Sequence, residues 1–150
     1  MTQISTIIDN LITVVSGQVT GARRLPDPYI LEDNNESYLR NSYGIAVRDG
    51  ENTERTLDCK ISIQRLFSVI LTRSITTTAN NVTSRETIQK NLLEDHFKIV
   101  KAIEAEPSLS GAAAKAVYLT DSGVDYIEQD KKKYYFIDMS FAIEYFEDLS

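Results

Sequence analysis

The stretch Lys133–Asp148, KYYFIDMSFAIEYFED, decides the fold. Every second residue from Tyr135 is apolar or aromatic: Tyr135, Ile137, Met139, Phe141, Ile143 and Tyr145. The residues between them, Tyr134, Phe136, Asp138, Ser140, Ala142 and Glu144, are mixed. A period of two is a β-strand with one dry face. About 13 residues at roughly 3.3 Å each make a strand on the order of 40 Å long. A compact chain of this size has a diameter of about 40 Å. The strand therefore crosses the whole molecule. Its second face, with Tyr134, Phe136, Ala142 and Phe146, is not plainly polar. Either the chain's own elements cover that face or a neighbouring subunit does, and the spacing leaves both open.

A partner strand lies upstream. In LDCKISIQRLFSVILTRSI, residues 57–75, Ile61, Ile63, Phe67, Val69 and Leu71 share a face that Arg65 interrupts. Before it, Tyr43–Arg48 reads as a shorter strand, and Asp49-Gly50 marks a hairpin turn. After it, residues 76–82, TTTANNV, read as a polar loop. Thr83 and Glu86 then have capping-box spacing. Ile88, Leu92, Phe97, Ile99, Val100 and Ile103 form the apolar stripe of a helix from about Ser84 to Glu104, which Pro107 ends. Residues 113–129, AAKAVYLTDSGVDYIEQ, read as a strand interrupted at Asp121–Gly123. At the N-terminus Ile4, Ile7, Ile8, Leu11, Ile12, Val15 and Val19 recur at helical spacing. The expected fold class is α+β, an antiparallel sheet of long strands flanked by two main helices. The expected order is helix, strand, strand, helix, strand, strand, in a single domain over 1–150.

One segment has no periodicity. Residues 21–42, GARRLPDPYILEDNNESYLRNS, contain two prolines yet also Leu25, Tyr29, Ile30, Leu31, Tyr38 and Leu39. Linkers do not carry so many apolar groups, and loops of this length tend to be functional. The segment reads as an arm that lies on something. Arg23 and Arg24 stand out in a chain with 22 acidic and 16 basic residues. They suit an acidic partner surface or a cross-subunit pair, against the plainer and favoured reading of two solvated arginines in a loop. Tyr29, Ile30 and Leu31 suit docking on a neighbour, and equally folding back on their own sheet.

A net charge of -6 argues against a nucleic-acid-binding surface as the main role, because phosphate binding needs a positive footprint. A single cysteine, Cys59, allows no internal disulfide, which fits a reducing compartment such as a cytoplasm. No apolar run has the length to span a bilayer, and the N-terminus does not read as a signal peptide. No phosphate loop, nucleophile elbow or zinc spacing is present. His96, the single histidine, reads as a structural or surface residue on the second helix. Cys59, at a strand start, reads as a small buried residue rather than a nucleophile. Asp33–Glu36 lacks the glycine and terminal glutamate of a calcium loop. The carboxylate pairs Glu94-Asp95 and Glu147-Asp148 read as solvated faces. No catalytic, cofactor or metal residue is expected, and the chain is not read as an enzyme.

The order and style of these elements resemble a family. A short amphipathic N-terminal helix is followed by a proline-containing loop, the strand DCKISIQRLFSVILTR, the helix RETIQKNLLEDHFKIVKAI, and a strand pair ending in YYFIDMSFAIEYFE. This looks like the tail terminator, or tail completion, proteins of long-tailed bacteriophages. The arm at 21–42 matches least. The resemblance implies a structural virion protein, assembled in the host cytoplasm and placed at the tail-neck junction. It implies a homohexameric ring that caps the tail tube, stops its polymerisation and joins the neck or connector protein. A contact with the sheath protein follows in contractile tails. It implies no cofactor, no membrane, and DNA only as passing cargo, for which an acidic wall is suited. The alternatives are another neck or head-completion ring protein, a small cytoplasmic adaptor, or a ligand-binding α+β domain. The candidate interface residues are Arg23, Arg24, Tyr29, Ile30, Leu31, Tyr134, Phe136 and Phe146.

Overall fold

The structure is a computed structural model. It describes residues 3–55, 59–74, 82–109, 115–129 and 131–148, without the side chains of 54, 55 and 82–84. The fold is mixed α and β. Helix α1 spans Gln3–Gln18 and α3 spans Val82–Ala105. The long strands are β2 (Asn41–Arg55), β3 (Lys60–Ser74) and β6 (Lys132–Asp148). Three shorter pieces, β1 (Arg23–Arg24), β4 (Lys115–Asp121) and β5 (Asp125–Gln129), complete a sheet of order β1-β2-β3-β6-β4, with β5 also pairing β6. The arm contributes β1, a 3-10 turn at Leu31–Asp33 and the single-turn helix α2 at Glu36–Leu39.

Strands β3 and β6 pair without a register break from Lys60↔Asp148 to Ser74↔Tyr134. That register brings Phe67 opposite Phe141, Val69 opposite Met139 and Leu71 opposite Ile137. All six are fully buried. They form one core with Ile7, Leu11 and Val15 of α1 and Leu92, Ile99 and Ile103 of α3. The dry face of the opening stretch is thus the floor of this core. Burying each such side chain contributes about 1.5–3 kcal/mol.

Four expectations change. The Asp49-Gly50 pair is not the hairpin turn. Strand β2 continues to Arg55, with register shifts at Val47/Gly50 and Asn52/Glu54. Gly50 serves the bulge, because a Cβ there would stand 2.8 Å from Arg65 Cζ. The Arg65 guanidinium lies against it and donates to the Arg48 carbonyl at 3.0 Å and the Tyr145 hydroxyl at 3.1 Å. Second, Phe97 is not in the apolar stripe; it is 61% exposed. Third, the sheet is not wholly antiparallel, since β1 runs parallel to β2. Fourth, the order is richer than expected, because the arm adds three short elements and the penultimate strand is split. The interruption at Asp121–Gly123 is real: Ser122 N donates to the Asp138 carbonyl at 2.8 Å, so the chain stays on β6 between β4 and β5. Helix α3 starts at Val82; the Thr83 side chain and most of the 76–82 loop lie outside the described residues.

Candidate assembly surfaces

The far face of the sheet, opposite α1 and α3, has two halves. At one end the arm lies on it. Leu25, Leu31 and Leu39 form a second core with Ile70 and Tyr134, against which Tyr38, Ile127 and Phe136 pack. Beneath them the hydroxyls of Ser42 and Thr72 hydrogen-bond to each other, which satisfies two buried polar groups. Asn34 builds the arm's tip. Its Oδ1 accepts from Asp27 N at 3.0 Å, and its Nδ2 donates to the carbonyls of Asp27 and Leu31 at 2.7 and 3.2 Å. Asp27 Oδ1 accepts the amides of Tyr29 and Ile30. Asn35 caps α2, accepting from Ser37 N. On the β6 side, the Tyr134 hydroxyl donates to Glu36, which also pairs with Lys132 at 3.2 Å. The Tyr134 bond, and then Lys132, hold the Glu36 carboxyl below its ordinary range.

These contacts sort the candidate residues. Leu31 is 9% exposed and Tyr134 is 1% exposed. Both are buried within the chain, packed in one cluster where the arm meets β6. Phe136 is half-buried against the arm. Arg23 lies over the Tyr38 ring at 4.0 Å, a cation–π contact inside the chain. Arg24 is exposed. Tyr29 and Ile30 are 54% and 51% exposed at the arm's outer surface. Of the two readings of the arm, folding back on its own sheet holds for Leu31, while Tyr29 and Ile30 remain outside.

At the other end no described element packs over the far face. There Ser62 opposes Phe146 and Leu66 opposes Ala142. Leu66 and Phe146 are exposed at 39% and 38%. Exposed apolar groups the sequence reading missed are Leu66, Leu93, Phe97, Leu119 and Tyr126. Leu66 sits on the mixed face of an alternating strand, so its period gave the signal. Leu93 and Phe97 are four apart on α3 and carry none, since helical spacing alone places them beside the buried stripe.

One polar cluster joins α3 to β4. The Tyr118 hydroxyl donates to Asp121 Oδ2 at 2.8 Å, and His96 Nε2 lies 3.0 Å from the same hydroxyl. Tyr118 has one proton and gives it to an acceptor-only carboxylate, so His96 must donate through Nε2–H. Asp121 Oδ1 accepts from Gly123 N at 2.7 Å. The bonds from Tyr118 and Gly123 hold the Asp121 carboxyl low; burial, reinforced by Asp121, pushes the Tyr118 hydroxyl up to about 12. Burial lowers the His96 imidazole despite Asp121. The three side chains tie α3 to β4 through a protonated phenol and an imidazole whose neutral form is favoured. On the far face, burial raises the Asp138 carboxyl, while Ser68 and Arg48 oppose the shift. Among the described residues no group of three or more His, Cys, Asp or Glu side chains could hold a metal ion. Cys59 is exposed. No described helix is long and apolar enough to cross a membrane. No protein-family model matches the chain, and no curated protein matches it in sequence.

Proposed function

We propose that the chain is a ring-forming structural subunit that caps a phage tail tube, stops its polymerisation and joins the tail to the head-side neck. The observation that carries this reading is the uncovered end of the sheet. Three long strands reach past the arm there, and Leu66 and Phe146 stand exposed on a face that a monomer would cover or make polar. The scaffold of the reading is the sheet with two main helices, in the order helix, strand, strand, helix and then three strands once the arm's short elements are set aside, the split β4 and β5 standing where one strand was expected. The ring is a homohexamer, and its partners are further copies of itself, the tube protein, the neck or connector protein and, in a contractile tail, the sheath protein. The acidic balance suits a channel wall along which DNA slides.

The test is electron microscopy of the purified chain added to preformed tail tubes, beside native mass spectrometry of the chain alone. One ring per tube end, with tube growth arrested, supports the reading. Tubes that elongate normally with no density at their ends overturn it. Phe146→Asp should abolish ring formation while leaving the melting transition within a few degrees of the parent. Phe136, half-buried against the arm, is the poorer probe because its loss also disturbs the fold.

A further inference from the structure

We propose that a groove at the outer edge of β2 receives Tyr126 from the opposite edge of the sheet in a second copy, giving a head-to-tail contact. The proposal rests on the ring reading and names the two surfaces that meet. The groove has a volume of about 500 Å³ and is lined by Ile8, Arg24, Pro28, Tyr29, Ile45 and Val47, among others. Its origin is local. Strand β1 pairs with β2 only at Arg23↔Ser42 and Arg24↔Tyr43. One further bond runs from Leu25 N to the Tyr43 carbonyl at 2.8 Å. Pro26 then has no N–H to continue the ladder, and Pro28 crowds Gly44, where a Cβ would stand 2.8 Å from Pro28 Cβ. The hydrogen bonds between arm and β2 therefore lapse after Leu25 and resume, among the described residues, where Val47 N donates to the Tyr29 hydroxyl at 3.0 Å. Between those two fastenings the flank of β2 at Ile45 faces a slot of mixed polar and apolar lining, walled by Ile8 of α1 on one side and the arm on the other. Arg24 stands at the slot and has no ion pair among the described residues.

The opposite edge of the sheet supplies a matching knob. Among the described residues β5 pairs with no strand but β6, and its end is tied to the arm where Gln129 Nε2 donates to the Glu32 carbonyl at 2.6 Å. Tyr126 on β5 is 48% exposed, between exposed Asp125 and Glu128. Its ring is held in place by Tyr135, at 6.0 Å between centroids, and by Lys133 Nζ at 4.8 Å. A pre-positioned tyrosine loses little entropy on docking. Its acidic neighbours complement Arg24. The knob and the groove lie on different edges of one sheet. Each copy therefore offers one of each, and the contact is heterologous, as a closed ring requires.

Variants at exposed positions test this by native mass spectrometry and sedimentation, with circular dichroism confirming the fold. Tyr126→Ala and Arg24→Glu should each raise the concentration for assembly by about tenfold or more. Arg24→Glu combined in one chain with Asp125→Lys and Glu128→Lys should restore assembly toward the parent level. A chain with Tyr126→Asp mixed with a chain with Arg24→Glu and Val47→Asp should stop at heterodimers, since one intact knob and one intact groove remain. Parent-like rings from Tyr126→Asp overturn this contact and leave the ring reading standing. A parent chain that stays monomeric at high concentration, and on tube ends, overturns both.

Discussion

The hydroxyl of Tyr29 accepts the amide hydrogen of Val47 at 3.0 Å, across 18 residues of sequence. The same ring lies 5.4 Å from Arg48 Cζ, and Arg48 in turn donates to Ser68 Oγ at 3.1 Å and faces Asp138 at 3.9 Å. One exposed tyrosine thus occupies an edge N–H of β2 and pins the arm. Tyr29→Phe keeps the ring and removes the acceptor. It should cost about 0.5–1.5 kcal/mol and accelerate hydrogen exchange at the Val47 amide. Unchanged protection of that amide would show that the arm is fastened elsewhere.

Gly44 and Gly50 both lie on β2 and respond differently to a methyl group. At Gly44 an added Cβ meets Pro28 Cβ at 2.8 Å and Leu25 Cδ1 at 3.1 Å. Those atoms belong to a constrained ring and a buried side chain, so the arm must move. Gly44→Ala should cost about 1–3 kcal/mol. At Gly50 the clash is with the far end of Arg65, which can swing aside. Gly50→Ala should cost less, set by the hydrogen bonds of Arg65 to Tyr145 and Arg48. Chemical denaturation of the two variants gives the order, and a reversed order would contradict these contacts.

The junction of His96, Tyr118 and Asp121 makes stability depend on pH. The folded imidazole is lowered from its ordinary 6.5, so the fold favours the neutral ring. Its contribution is complete above pH 6.5 and is lost as pH falls through the lower folded value. His96→Gln, which keeps a donor, should flatten the stability curve of the parent below pH 6.5. Thermal melts of both proteins between pH 7.5 and 5 make the comparison. Parallel curves would show that the ring does not titrate with folding.

Asp138 has the opposite sign. Its folded carboxyl is raised above the ordinary 3.8 by burial, so folding favours the protonated form. Its contribution is greatest below pH 3.8 and is lost as pH rises through the folded value. The stability of the parent relative to Asp138→Asn should therefore grow as pH falls toward 3.8, because groups common to both cancel in the difference.

Phe141 and Phe97 separate core from surface. Phe141 is fully buried, opposite Phe67 and tilted against Tyr118 at 5.6 Å. Phe141→Ala should cost about 3–5 kcal/mol. Phe97→Ala, at a position 61% exposed, should change stability by about 0.5 kcal/mol or less. Equal losses would place Phe97 in a packed environment.

The repeating elements were legible in the order of the residues alone. The alternation in β3 and β6 fixed which side chains face the core, and the helical spacing fixed α1 and most of α3, because these periods are properties of neighbouring residues. The strand interruption near Asp121 was legible for the same reason, since a Ser-Gly pair breaks an alternating run. The arm was legible only as a segment with too many apolar residues for a linker. Tertiary structure decided where it lies. Tyr134 was read as an interface residue and is buried, because Leu31 and Glu36 reach it from nearly 100 residues away. Phe97 was read as core and is exposed, because the rotation of α3 on the sheet favours Leu92, Ile99 and Ile103. Asp49-Gly50 was read as a turn and is a bulge, because Arg65 on the next strand occupies the space a side chain would fill. Periodicity reports which residues share a face. Only the long-range pairing of faces decides which of them meet water.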